Sequence, residues 1–381
     1  MSNKPRLCFV TAVPMTVIAF LNVHIERLAN DYDVYVVSDF SQGSQGVSTK
    51  ATCISVAIAR DIAISHDLQS LWQLVSVFRQ NQFDIVLSVT PKAGLVSTMA
   101  GFFARVPVRI HWFTGQVWVT RQGVMRQILK MADNSVAMLA THLLADSPSQ
   151  RQFLLDEKIC RSDKISVIAK GSICGVNALR FAPNRDARHQ VFALHNIADD
   201  AKVVLFVGRL NVDKGLRELA EAIPIVAAKV PNVVFLIVGP DEGNMVDYIQ
   251  QVAKDCLSHV RFQGFTSTPE LYMAAADIFC LPSYREGFGS SVLEAAACGV
   301  PAVTTRIYGL TDAVDDKVTG VLVPPHDTAA LAEALIQLLI DDERCQAMGQ
   351  NARQRAITDF SLERVSTALA EYLAHIAGAK Q

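Results

Sequence analysis

Several things are missing from this 381-residue chain. No stretch approaches the roughly 18–20 consecutive apolar residues that a bilayer-spanning helix needs. The opening MSNKPRLCFVTAVP passes straight into a strand-like run and lacks a signal-peptide core. A cytoplasmic protein with at most peripheral membrane contact is therefore expected. There is no C-x-x-C pair and no Cys/His cluster at metal spacing. The eight cysteines, at 8, 53, 160, 174, 256, 280, 298 and 345, are widely spread and suit buried free thiols in a reducing compartment. No repeat and no low-complexity tract occurs. No G-x-G-x-x-G follows the first strand, which disfavours a dinucleotide-dependent dehydrogenase.

Net charge is nearly absent too, at −2, but the halves differ. Residues 1–180 hold 18 Lys/Arg against 12 Asp/Glu, and the remainder holds 17 against 25. A basic first half suits an anionic partner such as phosphate or a membrane surface; scattered, solvated charge accounts for it equally well.

Half of the residues are apolar, enough for more than one core, and the length suggests two domains. Short Val/Ile/Leu/Phe runs alternate with helical-length segments. Strands are predicted at 6–13, 33–39, 53–58, 84–90, 108–114, 142–147 and 165–170, then again at 203–210, 233–239, 260–264, 277–283, 301–306 and 320–325. Near-continuous apolar strands followed by helices indicate parallel sheets covered on both faces. Between the two series, GSICGVNALRFAPNRDARHQ (171–190) reads as a linker. The fold class is α/β, with two doubly wound domains and a ligand cleft between them.

Two motifs carry chemistry. VGRLNVDKG (207–215) puts Arg209 and Lys214 at or just beyond a strand end. A planar fork and a mobile point charge suit a diphosphate, although two solvated loop cations would look the same. EGFGSSVLE (286–294) lies between a strand and a helix. Gly287 and Gly289 let backbone approach a ligand, and the amides near Ser290 and Ser291 begin a helix, which favours phosphate. Glu286 and Glu294 would flank that phosphate and suit hydroxyl groups on either side, one of a sugar and one of a ribose. The plain alternatives are a solvated loop carboxylate for Glu286 and, for Glu294, the S-x-x-E capping box of Ser291-Val-Leu-Glu294. A hydrolytic pair would need carboxyl groups about 5–5.5 Å apart around one bond, which a loop and a helix flanking a phosphate do not suggest.

Together GRLNVDKG, the run LPSYREGFGSSVLEAAACGVP, the later TGVLVPP and the hinge-like GVNALRF resemble the retaining glycosyltransferases of family 4, which have the GT-B fold. The resemblance covers most of the chain and is most specific in the second half. It implies an acceptor-binding Rossmann-like domain over 1–180, a nucleotide-sugar domain over 181–360, and a C-terminal helix over 361–381 able to cross back to the first domain. It also implies that Arg209 and Lys214 hold the donor diphosphate, Glu286 the donor sugar and Glu294 the ribose, with Gly287, Phe288, Gly289 and Ser290 beside them. The implied donor is a UDP-sugar, with no metal or other cofactor, and the new linkage retains the donor's anomeric configuration.

In the first half the family usually places a histidine before a glycine after the fifth strand; here IHWFTGQVW has Thr114 before Gly115. Thr114 and His111 are both candidates for that catalytic place, although His111, on the strand itself, reads more readily as a core histidine. Lys92, in SVTPKAG, follows a strand end and suits another phosphate, with a solvated cation as the alternative. TPKAG followed by TGQVW resembles the branch that extends lipid-linked sugars for bacterial O-antigen or capsule, where acceptors are polyprenyl diphosphate sugars. Lys92 and Gly115 would then face the acceptor, and an N-acetylhexosamine is one option for the transferred sugar. Residues 92–170 carry 11 basic and 5 acidic residues, compatible with an anionic membrane surface. A monomer is expected, with no nucleic-acid partner. A non-hydrolysing sugar-nucleotide epimerase, or an inactive sugar-nucleotide-binding relative, are the rival readings.

Overall fold

A computed structural model describes residues 4–59 and 64–378. The chain divides into two compact units, Met1–Cys174 with Leu362–Gln381, and Gly175–Ser361.

The first unit contains β1 (Arg6–Val10), β2 (Asp33–Ser38), β3 (Ala51–Ser55), β4 (Ile85–Val89), β5 (Val108–Phe113), β6 (His142–Ala145) and β7 (Ile165–Val167). They form one parallel sheet in the order β3-β2-β1-β4-β5-β6-β7. Period-two alternation sorts its side chains between two cores. Leu7, Phe9, Ile85, Leu87 and Trp112 face one, while Cys8, Val10 and Val86 face the other. Helices α1 (Asn22–Leu28), α2 (Ile64–Asn81), α3 (Pro91–Phe103) and α4 (Gly123–Leu139) cover the faces.

The second unit contains β8 (Lys202–Val207), β9 (Val233–Val238), β10 (Val260–Gln263), β11 (Ile278–Leu281), β12 (Ala302–Thr305) and β13 (Gly320–Val323), ordered β10-β9-β8-β11-β12-β13 and again all parallel. β9 is buried along its whole length, as its sequence VVFLIV requires. Helices α5 (Leu216–Ala227) and α6 (Ser290–Ala297) follow β8 and β11. The last helix, α7 (Leu362–Gly378), belongs to the first unit, where Val365, Leu369, Leu373 and Ile376 enter the core shared with Ile25 and Leu28 of α1.

Each predicted strand is present, most of them trimmed at the ends, while β3 starts two residues earlier than predicted, at Ala51, and β8 one residue earlier, at Lys202. The chain passes from one unit to the other at Cys174–Gly175, inside the stretch read as a linker, but residues 185–190 of that stretch open a helix, Arg185–His195. Asn184 caps it by accepting from the Ala187 amide, a local hydrogen bond that composition does not reveal. All eight cysteines are free thiols. Among the described residues, no helix is long and apolar enough to cross a membrane.

Candidate functional site

In the second sheet the chain runs outward from β8 through β9 to β10, then returns to the other side of β8 with β11. The loops leaving β8 and β11 therefore part in opposite directions, and the crevice at their carboxyl ends is where such sheets take ligands. The loop after β8 carries Arg209 and Lys214; the loop after β11 carries Glu286. The fold brings these together. Lys214 Nζ lies 2.5 Å from Glu286 Oε1, and the buried Ser283 donates to the same oxygen at 2.8 Å. Side-chain exposure of Lys214 and Glu286 is only 19% and 13%, so this pair is poorly screened by solvent.

The two loops are also tied to each other. The Tyr284 amide donates to Asp213 O at 2.9 Å, and Arg285 Nη2 to Asp213 Oδ2 at 3.2 Å. Gly215, at φ +68°, closes the turn that holds Lys214; a Cβ there would lie 1.9 Å from Pro282 O. Only glycine allows this backbone-to-backbone approach. Arg209 is more open and pairs with Glu242 of the loop after β9 at 2.9 Å.

Helix α6 starts at Ser290 with Gly289 as its N-cap, at φ +88°. Ser291 and Glu294 are thus the second and fifth helical residues, so the S-x-x-E box is not formed. The amides at the helix start are left to other partners. The Phe288 ring is buried against Phe360, leaving its backbone as the part available at the loop. Glu294 is half-buried, and burial pushes its carboxyl up to about 7; Arg180 offsets this and Glu270 adds to it. Arg180 is itself held by Glu270 at 2.9 Å and by Ser267 O.

In the first unit, Lys92 begins α3 at the carboxyl end of β4, and Thr114 and Gly115 follow β5 next to it. Lys92 Nζ pairs with Asp67 at 2.7 Å. Gly115 has φ +109°. His111 is 1% exposed, its Nδ1 lies 2.9 Å from Ser88 Oγ, and Gly94 of α3 packs against its ring. Burial lowers its pKa to about 3, which leaves it a neutral core residue with no surface towards solvent. Among the described residues, no group of three or more His, Cys, Asp or Glu side chains is placed to hold a metal ion.

Residues 188–355, which contain this β8–β11 crevice, match the family model described as glycosyl transferases group 1. The capsular polysaccharide biosynthesis glycosyltransferase CapM of Staphylococcus aureus is 30% identical over 330 residues, 86% of each chain. The chain is a group 1 glycosyltransferase. A second relative of this glycosyltransferase, from Escherichia coli, is a UDP-Gal:alpha-D-GlcNAc-diphosphoundecaprenol alpha-1,3-galactosyltransferase, 26% identical over 312 residues, covering 80% of this chain and 79% of the relative. The structure of Anabaena HepE in complex with UDP and glucose superposes with a TM-score of 0.82 at 20% identity, covering 97% of this glycosyltransferase and 99% of HepE. That likeness gives the fold its name, GT-B. Ser283, Asp213, Arg285 and Glu242 also shape the site of this glycosyltransferase, and no motif spacing points to them. They meet Glu286, Lys214 and Arg209 only through the strand order.

Proposed function

We propose that this glycosyltransferase moves a hexose or N-acetylhexosamine from a UDP-sugar to a polyprenyl-diphosphate-linked sugar during assembly of a bacterial surface polysaccharide. Transfer retains the anomeric configuration, as in family 4. The observation carrying this reading is the meeting of Lys214 with Glu286 at the strand-order reversal, with Arg209 on the loop of Lys214 and α6 starting just after Glu286. Breaking a sugar–diphosphate bond develops negative charge on the leaving phosphate. Arg209, Lys214 and the α6 amides stabilise it in the role that a divalent metal has elsewhere. Glu286, fixed by Lys214 and Ser283, accepts hydrogen bonds from the donor sugar, and Glu294 accepts them from the ribose. Lys92 and Gly115 serve the acceptor, and Thr114 stands where the family usually has histidine. The names of CapM and of the E. coli relative support a polysaccharide and a diphospho-lipid acceptor, and the HepE complex supports a UDP donor. The enzyme would work peripherally, on the inner face of the cell membrane.

The test is thermal unfolding with UDP and a panel of UDP-hexoses and UDP-N-acetylhexosamines. A ligand at 100 times its Kd adds about 2.7 kcal/mol, which for units of this size raises Tm by roughly 5–10 °C. The cognate donor should shift Tm most, and Arg209→Ala should remove most of the shift. No response to any uridine nucleotide would overturn the donor assignment.

A pH dependence follows from Glu294. Ribose hydroxyls donate to the ionised carboxylate, so donor affinity should fall below about pH 7, by up to tenfold per unit, and Glu294→Gln should flatten the profile. Without donor the sign is opposite. A carboxyl raised by folding favours the folded state at low pH, and that contribution is lost as pH rises from the ordinary carboxylate range to about 7. Titrating UDP binding between pH 5.5 and 8.5, a range of roughly 1.5 units on either side of 7, checks both the midpoint and the sign.

A further inference from the structure

Much of the basic charge counted in residues 92–170 is already committed. Arg126 and Lys130 lie over the Trp118 ring and pair with Glu157, and Arg161 pairs with Asp163. What α4 turns outward is uncharged. Val124, Ile128, Met131 and Met138 are 75%, 48%, 66% and 73% exposed. At about 100° per residue these four, with Ser135 between them, fall on one stripe along the helix.

The stripe does not end with α4. Arg109 Nε donates to Leu139 O at 2.9 Å, and its guanidinium lies 6.0 Å from the Phe102 ring at the end of α3. Phe102 meets Phe103, and Phe103 stacks on Trp72 of α2 at 6.2 Å. Trp72, Phe102 and Phe103 are all exposed. Helices α2, α3 and α4 pack side by side, so these groups form one surface. Its margin is basic: Arg79 donates to Phe103 O at 3.1 Å, Lys164 to Met138 O at 3.2 Å, and Arg105 is exposed between α3 and β5. The three helices contain two acidic residues, Asp67 and Asp133. Asp67 pairs with Lys92, and Asp133 is buried, accepting from Trp118 Nε1 at 2.7 Å.

We infer that this α2–α3–α4 face is the membrane-docking surface of the enzyme: the α4 stripe and the Trp72/Phe103 pair enter the headgroup–acyl boundary of an anionic bilayer, and Arg79, Arg105 and Lys164 contact its lipid phosphates. An uncharged apolar stripe with exposed aromatic rings and a cationic rim matches both layers of such a surface. A second copy of the chain is the poorer occupant. A two-fold contact across this face would set the rim cations of both copies against each other, and the three helices offer no carboxylate beyond Asp67, paired with Lys92, and the buried Asp133. This deepens the lipid-linked acceptor reading, because α4 starts just beyond the Thr114–Gly115 end of β5 and its stripe runs away from there along the sheet.

Flotation of the full chain with phosphatidylcholine vesicles, with and without phosphatidylglycerol, tests it. The wild type should float with the anionic vesicles and far less with the neutral ones. Ile128→Glu/Met131→Glu should lower partitioning by tenfold or more. Arg79→Glu/Arg105→Glu should lower it by about fivefold for each cation removed and weaken its salt sensitivity. Both variants change exposed side chains and should keep UDP binding and Tm. UDP binding without any vesicle binding, or equal flotation of wild type and both variants, overturns the docking surface while leaving the donor site intact. A wild-type dimer that Ile128→Glu/Met131→Glu makes monomeric, without flotation, would make the face a self-interface and also overturn it.

Discussion

Replacing Lys214 with alanine is expected to slow sugar transfer by roughly 10²–10³-fold in a protein that still folds. Two effects combine. In the proposed site, the leaving diphosphate loses one of its two cations. Glu286, 13% exposed and 2.5 Å from Lys214 Nζ, loses the partner that fixes its carboxylate and keeps only the Ser283 hydroxyl. A carboxylate left without its cation in a poorly solvated crevice moves towards water. Its proposed grip on the donor sugar then weakens, so KM for the donor should rise along with the fall in kcat. Lys214→Arg should recover little, because a planar fork does not fit a position shaped for a single ammonium at the end of a tight turn. Steady-state rates of UDP release with donor and acceptor present measure this. Transfer within about threefold of wild type would remove Lys214 from the proposed diphosphate site.

Gly215→Ala should be one of the most damaging single methyl groups near the site. The added Cβ would lie 1.9 Å from Pro282 O, at a residue held at φ +68°. Backbone strain and overpacking each cost about 1–3 kcal/mol, so a loss of roughly 3 kcal/mol or more is expected. Neither neighbour can yield cheaply: Pro282 directly follows β11, and the Gly215 turn opens α5. The turn would have to lift, carrying Lys214 away from Glu286. Stability and transfer should therefore fall together, with Tm lower by about 6–12 °C. Gly264→Ala is the control, since a Cβ there meets nothing within 4 Å. If both variants melt alike, the contact with Pro282 is not what holds the lysine.

The strands were legible because each is a short apolar run bounded by turn residues; β9, VVFLIV, allows no other reading. Arg209, Lys214 and Glu286 were legible as positions after strands. Their meeting was not, because Lys214 and Glu286 are 72 residues apart and become neighbours only when β11 returns beside β8. Glu242 was invisible for the same reason. The start of α6 at Ser290 and Ser291 was legible; the capping-box alternative fails, because Gly289 takes the cap position in a conformation its serine neighbours would adopt at a cost. Charge counting in the first half pointed towards a membrane, but it credited Arg126 and Lys130, which are bound to Glu157, and gave no weight to Met131 and Met138. A helical period shows that a stripe exists and not which way it faces.

The placement of α7 has a consequence for how this protein is made. Val365, Leu369, Leu373 and Ile376 fill a core whose other members run from Leu7 and Phe9 to Ile173, all made well before them. At about 5–20 residues per second, a ribosome delivers the first sheet tens of seconds or less before the helix that completes its covering. The second unit, Gly175–Ser361, is uninterrupted and emerges whole in the interval. The half of the enzyme synthesised first is therefore finished last, and until α7 arrives its nascent core keeps one open flank for a chaperone to shield.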